Sequence, residues 1–349
     1  MTFQPLDEII RSPAFPTAIW QLEPHQSGLL PVAAGRGGPL NISWEVHGDG
    51  PVKLVLIGGI GLTKTDWQSQ TLYFGHERGR RYSVLVFDNR GAGASGKPLL
   101  RYSTSEMARD LLELLDHLGW TAPRQVHVSG GSLGGMIAQE LAVLAPDRIA
   151  SLNLHSTAAR LENAAGSSLA EVADRLGALL PRPAEAAIRA TARGCFPEAW
   201  LAAADGEELP RRGTPRCAVA AAGGYGGGDG AGELRFGSNY ARFAAREAQI
   251  PRDRGGLALQ AVAGAFHCKT PAQLRALADR VGRARIAVLH GAADRMIPVA
   301  HGRRLAALLR PAAAVFEDGL GHAPIHQRPR WFNEFLEARC EAAEKLSGR

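Results

Sequence analysis

Gly130-Gly131-Ser132-Leu133-Gly134 carries the most specific chemistry in this 349-residue chain. It follows the apolar run Val126-His127-Val128 and opens a stretch of small and apolar residues, Leu133 to Leu144, that reads as a buried helix. A serine flanked by glycines at a strand-to-helix turn matches a nucleophile elbow, in which a strained turn lifts the hydroxyl above a sheet. The glycines remove Cβ atoms that would collide in so tight a turn. The helix starting there aims free amide donors and its positive dipole end at the site, which favours an oxyanion. Two other glycine readings fail on their side chains. A dinucleotide loop would put Ser132 where a bare glycine must approach the pyrophosphate. The run Gly91 to Lys97 has phosphate-loop spacing, but Pro98 stands where a hydroxyl should hold magnesium. A neutral serine is a poor nucleophile, so this chemistry needs a base, and the base needs an acid to orient it.

The elements around the elbow are those of a covered sheet. Leu30 to Ala34 and Leu40 to Val46 read as two strands joined by the glycine turn Gly35-Arg36-Gly37-Gly38, and the second alternates as a half-covered edge strand would. Leu54–Ile57, Ser83–Phe87, Val126–Val128, Ser151–Leu154 and Ile286–Leu289 are continuous apolar runs, the mark of parallel strands buried on both faces. Ser103 and Glu106 can cap a helix whose apolar face carries Met107, Leu111, Leu114, Leu115 and Leu118. Val299 to Leu309 and Trp331 to Lys345 have helical spacing as well. Alternating strand and helix predicts an α/β architecture with a mostly parallel central sheet. That rhythm breaks between 158 and 280. Ser168 can cap a helix ended by Pro181, Pro183 and Pro271 can start others, and the run Gly223 to Gly230 has too little side chain to bury.

Composition excludes several classes. Hydrophobic residues make up 45% and charged residues 21%, which suits an ordinary globular chain and not a disordered or fibrous one. No apolar run approaches the roughly 20 residues of a membrane span. The first residues lack the basic and apolar regions of a secretion signal, so the expected location is cytoplasmic. A net charge of +6 is spread without a recognition helix or zinc-finger spacing, so no nucleic-acid partner is expected. Cys195, Cys217, Cys268 and Cys340 form neither a CxxC pair nor a metal-ligand cluster with histidine, which predicts free thiols and no structural metal.

Trp44-Glu45-Val46-His47-Gly48-Asp49-Gly50-Pro51, Leu56-Ile57-Gly58-Gly59-Ile60-Gly61, Phe87-Asp88-Asn89-Arg90-Gly91 and the Ser132 elbow together resemble the α/β-hydrolase fold superfamily. The resemblance covers about residues 28–157 and 281–349, so it implies a core of those two segments, an N-terminal extension over 1–27 and an inserted helical cap over 158–280. It also implies a triad in the order serine, acid, histidine. His290-Gly291-Ala292-Ala293-Asp294 is similar to the family's acid loop, with Asp294 as the acid. Glu317-Asp318-Gly319-Leu320-Gly321-His322 is similar to its histidine loop, with His322 as the base and Asp318 a solvated bystander. The oxyanion donors implied are the backbone N–H groups of Leu133 and Ile60. The family usually has His-Gly where this chain has Gly58-Gly59. His155 is expected to play a structural part at a strand end, and Asp88 and Arg90 to hold their turn.

The implied activity is hydrolysis of a carboxylic ester, lactone or thioester through an acyl-enzyme on Ser132, with no metal or organic cofactor. Trp200, Phe236, Phe243 and Phe266 suggest a small apolar acyl substrate. Gly130 to Met136 is also similar to the elbow of homoserine O-acyltransferases, so acyl transfer by the same residues is a second reading. A ligand receptor on the hydrolase scaffold is a third. The oligomeric state is left open, a homo-oligomer included.

Overall fold

A computed structural model describes residues 3–161, 183–218 and 234–349. The helix expected behind Ser168 and the Gly223–Gly230 run lie outside the described residues. The strands are β1 (Gln21–Leu22), β2 (Gln26–Val32), β3 (Leu40–His47), β4 (Val52–Ile57), β5 (Tyr82–Phe87), β6 (Val126–Gly131), β7 (Ile149–His155), β8 (Cys217–Ala218), β9 (Ile286–Gly291) and β10 (Ala313–Glu317). Eight of them form one sheet in the order β10-β9-β7-β6-β4-β5-β3-β2, and β1 pairs separately with β8. All eight run parallel except β3, which is antiparallel to both of its neighbours. This is the α/β-hydrolase fold.

Burial follows the pleat. Leu54, Leu56, Val84 and Val86 pack on one face against Trp67, Phe74, Phe332 and Leu336. Val55, Ile57, Leu85, Val128 and Leu152 pack on the other, beneath the helices Thr104–His117, Leu133–Leu144, Pro271–Val281 and Val299–Leu309. The expected cap of the first helix is present, with Ser103 Oγ accepting from the Glu106 N–H. Thr270 and Gln273 form a full capping box ahead of Pro271.

One expectation is corrected. The half-covered edge strand is β2, whose residues alternate between exposed and partly buried, while β3 lies one strand inward and is buried for most of its length. The polar positions that imitate an edge in β3 are used internally. Ser43 Oγ accepts from Lys64 Nζ at 2.8 Å, and the Ser43 N–H donates to Ser95 Oγ at 2.8 Å.

Between β7 and β9 the chain leaves the sheet. The described helices there are Ala184–Cys195, Glu198–Ala202, Asn239–Gln249, Arg254–Ala265 and Pro271–Val281. The N-terminal residues join this insertion: Phe3, Ile9, Ala14 and Ala18 share a cluster with Ile188, Phe196, Leu201 and Tyr240, and the Phe3 and Tyr240 rings stack at 4.1 Å. Phe236 and Phe243 belong to the same cluster, so they are the insertion's own core. Phe266 is 71% exposed, with the Arg101 guanidinium over its ring.

Candidate active site

The strand order places the site before any side chain is considered. From β4 the chain moves to β5 on one side, then returns to β6 on the other, so the loops leaving β4 and β6 diverge from adjacent strand ends. Such a switch point opens a crevice at the C-terminal edge of a parallel sheet. Ser132 follows β6 directly, and Gly58 to Gly61 follow β4.

Ser132 has φ 54° and ψ −124°, a conformation that L residues rarely adopt and that costs on the order of 1–3 kcal/mol. Close packing enforces it. A Cβ on Gly134 would lie 2.1 Å from the Ile57 carbonyl oxygen, and one on Gly130 would lie 2.4 Å from that of Gly134. The Ser132 N–H donates to the His155 carbonyl at 3.1 Å, and its carbonyl accepts from Thr157 Oγ1 at 2.7 Å. The peptide is therefore fixed from β7, and the partly exposed side chain remains open to the crevice.

Asp294 and His322 come from the loops after β9 and β10, neighbours whose register pairs Gly291 with Glu317. His322 Nδ1 lies 2.8 Å from Asp294 Oδ2, so the Nδ1–H donates and the lone pair is left on Nε2. Asp294 is fully buried and satisfied elsewhere: Oδ1 accepts from the Met296 and Ile297 N–H groups, each at 2.9 Å. Burial alone would raise its pKa, but His322 and His290 outweigh that and hold the carboxyl well below the usual carboxylate range. It is an anion positioned to orient an imidazole and to stabilise the imidazolium.

His290 is the residue that sequence reasoning missed here. Its Nε2 lies 3.1 Å from Asp294 Oδ2 and 2.7 Å from the Ile297 carbonyl oxygen, so one N–H is shared between them. Its place at the head of the acid loop, four residues before Asp294, was the available signal. The insertion also reaches this side, since the His322 N–H donates to the Cys195 carbonyl at 2.7 Å.

The two expected oxyanion donors flank the serine. Leu133 is the first residue of its helix, so its N–H has no intrahelical acceptor. The loop carrying Ile60 touches the elbow, because a Cβ on Gly59 would lie 3.2 Å from Ser132 Cβ. The Ile60 N–H donates to no group among the described residues. The structure thus joins Asp294 to His322 directly and puts Ile60, Leu133 and Ser132 together at the switch point. Among the described residues no hydrogen bond joins the Ser132 hydroxyl to His322.

The remaining candidates fall away from the chemistry. His155 is buried, packs edge-on against Trp67 and Phe332, and has a pKa pushed down to about 3 by burial and by the nearby His322 and His290. Asp318 is exposed. Asp88 accepts from the N–H groups of Lys64 and Ala94 and so fixes its loop, while Arg90 forms a buried two-pronged pair with Asp110 at 2.6 Å. Lys97 caps its own turn by donating to the Gly93 carbonyl. All four cysteines are free, and Cys268 is exposed. Among the described residues, no group of three or more His, Cys, Asp or Glu could hold a metal ion, and no helix is long and apolar enough to cross a membrane.

The strand order with its single antiparallel β3, the elbow after β6 and the loops after β9 and β10 have the arrangement of an α/β hydrolase. The chain belongs to the alpha/beta hydrolase fold family, whose model matches residues 53–329. It is 33% identical over 166 residues to a putative carbamate hydrolase, RutD, of Azorhizobium caulinodans, a match covering 48% of this chain and 58% of that protein. It is 34% identical over 125 residues to 3-oxoadipate enol-lactonase 2 of Acinetobacter baylyi, covering 36% of this chain and 44% of the relative. These matches span about half the length of the curated relatives. Among solved structures, a thermophilic esterase from Thermogutta terrifontis superposes with a TM-score of 0.65 at 23% identity, over 91% of this chain and 99% of that one. A hydrolase from Pseudomonas aeruginosa PA01 gives the same TM-score at 25% identity, over 90% and 98%.

Proposed function

We propose that this chain is a serine hydrolase that cleaves a carboxylic ester, with lactones and thioesters in the same class, through an acyl-enzyme on Ser132. The observation that carries the reading is the buried Asp294–His322 hydrogen bond on the rim where a conformationally strained serine begins a helix. His322 Nε2 takes the hydroxyl proton as Ser132 Oγ attacks the acyl carbon, then returns it to the leaving alcohol. Water, activated by the same nitrogen, then attacks the acyl-enzyme and releases the acid. The Leu133 and Ile60 N–H groups receive the negative charge that develops on the acyl oxygen, a role in which one donor is worth about 2.7–4 kcal/mol. Proton transfer needs the serine and imidazole in contact, and such contacts commonly tighten only when substrate is bound. The names of the carbamate hydrolase, enol-lactonase and esterase relatives support acyl cleavage as the class. In this reading the described helices between β7 and β9 act as a cap over the site, and the exposed Ile60 side chain favours a small apolar acyl group.

A fluorophosphonate should label Ser132, and p-nitrophenyl esters of graded length, with lactones alongside, should be hydrolysed. Ser132→Ala should lose about 10⁶ in kcat while keeping the fold. Labelling elsewhere, or an Ala variant as fast as wild type, overturns the mechanism. If added alcohols collect most of the acyl group as new ester, the enzyme is a transferase using the same residues.

A further inference from the structure

The loop that carries Ile60 is held by the insertion. The Gly61 N–H donates to Gln260 Oε1 at 2.7 Å, and Gln260 Nε2 donates to the Arg90 carbonyl at 2.8 Å. Gln260 has no exposed surface, and 199 residues separate it from Gly61. Arg252 Nη1 donates to the Gly61 carbonyl, and the same guanidinium pairs with Asp66 at 3.0 Å and with Glu247 at 2.6 Å. On the other side of Ile60, Asn89 Nδ2 donates to the Gly58 carbonyl at 3.1 Å. The helix Arg254–Ala265 is seated tightly enough for this grip: a Cβ on Gly256 would lie 1.9 Å from the Gly91 carbonyl oxygen.

We infer that Gln260, backed by Arg252, is a positioning residue for the oxyanion hole, setting the direction of the Ile60 N–H from the insertion. The inference rests on the proposed serine chemistry. Ile60 sits among three peptides pinned by side chains from outside its loop. Gln260 fixes the peptide that joins Ile60 to Gly61, Arg252 fixes the next, and Asn89 fixes the one leaving Gly58. An N–H contributes to an oxyanion hole only if it is aimed before charge develops. The peptide that bears the Ile60 N–H is closed locally, its Gly59 carbonyl accepting from the Leu62 N–H at 3.2 Å, and the loop offers only glycines at 58 and 59, so the partners outside the loop set the direction of that turn. The Gln260 amide reaches two strand-end loops at once and ties the loop after β4 to the loop after β5.

The test compares wild type with Gln260→Met, which keeps the volume but loses both hydrogen bonds, using p-nitrophenyl butyrate. Expected is a fall in kcat on the order of 10- to 100-fold with KM within about threefold, as for a donor displaced rather than removed. Inhibition by an alkylboronic acid, whose tetrahedral adduct on Ser132 places an oxygen in the hole, should weaken by a similar factor. Inhibition by butyrate should not change. A merely structural glutamine would lower the thermal midpoint and leave the boronate-to-butyrate ratio as in wild type, which overturns the inference, as does an unchanged kcat. If Gln260→Met does not fold, Gln260→Asn gives the same reading, since its amide is one methylene too short to span from Gly61 to Arg90. Wild type that fluorophosphonate does not label at Ser132 overturns the proposed function itself. Labelled wild type with variants that match it overturns the positioning role alone.

Discussion

Two buried carboxylate sites differ in what surrounds them. Asp294, on the sheet rim, takes two backbone N–H groups from its own loop and two histidines, His290 from the end of β9 and His322 from the loop after β10. Asp205 and Glu207, in the insertion, face Arg242 and Arg246. Arg242 grips Asp205 with two bonds of 2.6 Å, and Arg246 pairs with Glu207 at 2.8 Å. For Glu207, burial pushes the carboxyl up, but Arg246 and Arg242 together hold it below its ordinary value. A carboxylate held by neutral donors keeps its charge available to an imidazole. One gripped by guanidinium has its charge cancelled and can only hold structure. The rim site should therefore fail in rate, and the insertion site in stability.

Three changes would break or sharpen that contrast. Asp294→Asn should have the largest effect, lowering kcat by about 10⁴ through the wrong imidazole tautomer. Steady-state kinetics on folded protein checks it, and a loss under tenfold would remove Asp294 from the mechanism. Asp205→Ala should cost up to about 3–5 kcal/mol of stability, because it leaves the buried Arg242 with only its longer 3.5 Å contact to Glu207. Urea unfolding measures this, and the remaining folded fraction should keep its kcat.

The smallest effect concerns pH. Burial lowers the pKa of His155 and His267 to about 3 and of His76 and His326 to about 4. The unfolded chain binds protons on these groups near their ordinary value of 6.5 while the folded chain does not, so stability falls as pH drops through that window. The fall ends once the folded state protonates as well. The urea midpoint should decline from about pH 7 down to about pH 4, and less steeply in His155→Leu, whose ring nitrogens have no partner to lose among the described residues. An equally steep decline in the variant would mean that His155 stays uncharged for another reason.

Much of the rim could be read from the chain because its signals are local. The elbow is five consecutive residues, and Asp294 and His322 each sit a few residues beyond an apolar strand. The alternation of β3 misled because its polar side chains Ser43 and Glu45 meet Lys64, a partner that no periodicity reveals. Gln260, Arg252 and the Cys195 carbonyl were invisible for a stronger reason. Each acts on the site across a long stretch of chain, and a lone glutamine in a helix, or a backbone oxygen, carries no pattern.

That carbonyl has a consequence for how such an enzyme can diversify. Because the hydrogen bond from His322 ends on main-chain oxygen, the bond itself does not depend on which side chain stands at 195, provided the replacement still packs against the cluster there. The helix that delivers it cannot be moved. If these helices roof the site as proposed, a lineage admitting new molecules could redecorate them residue by residue, but grafting a foreign roof onto the same floor would remove a hydrogen bond that holds His322.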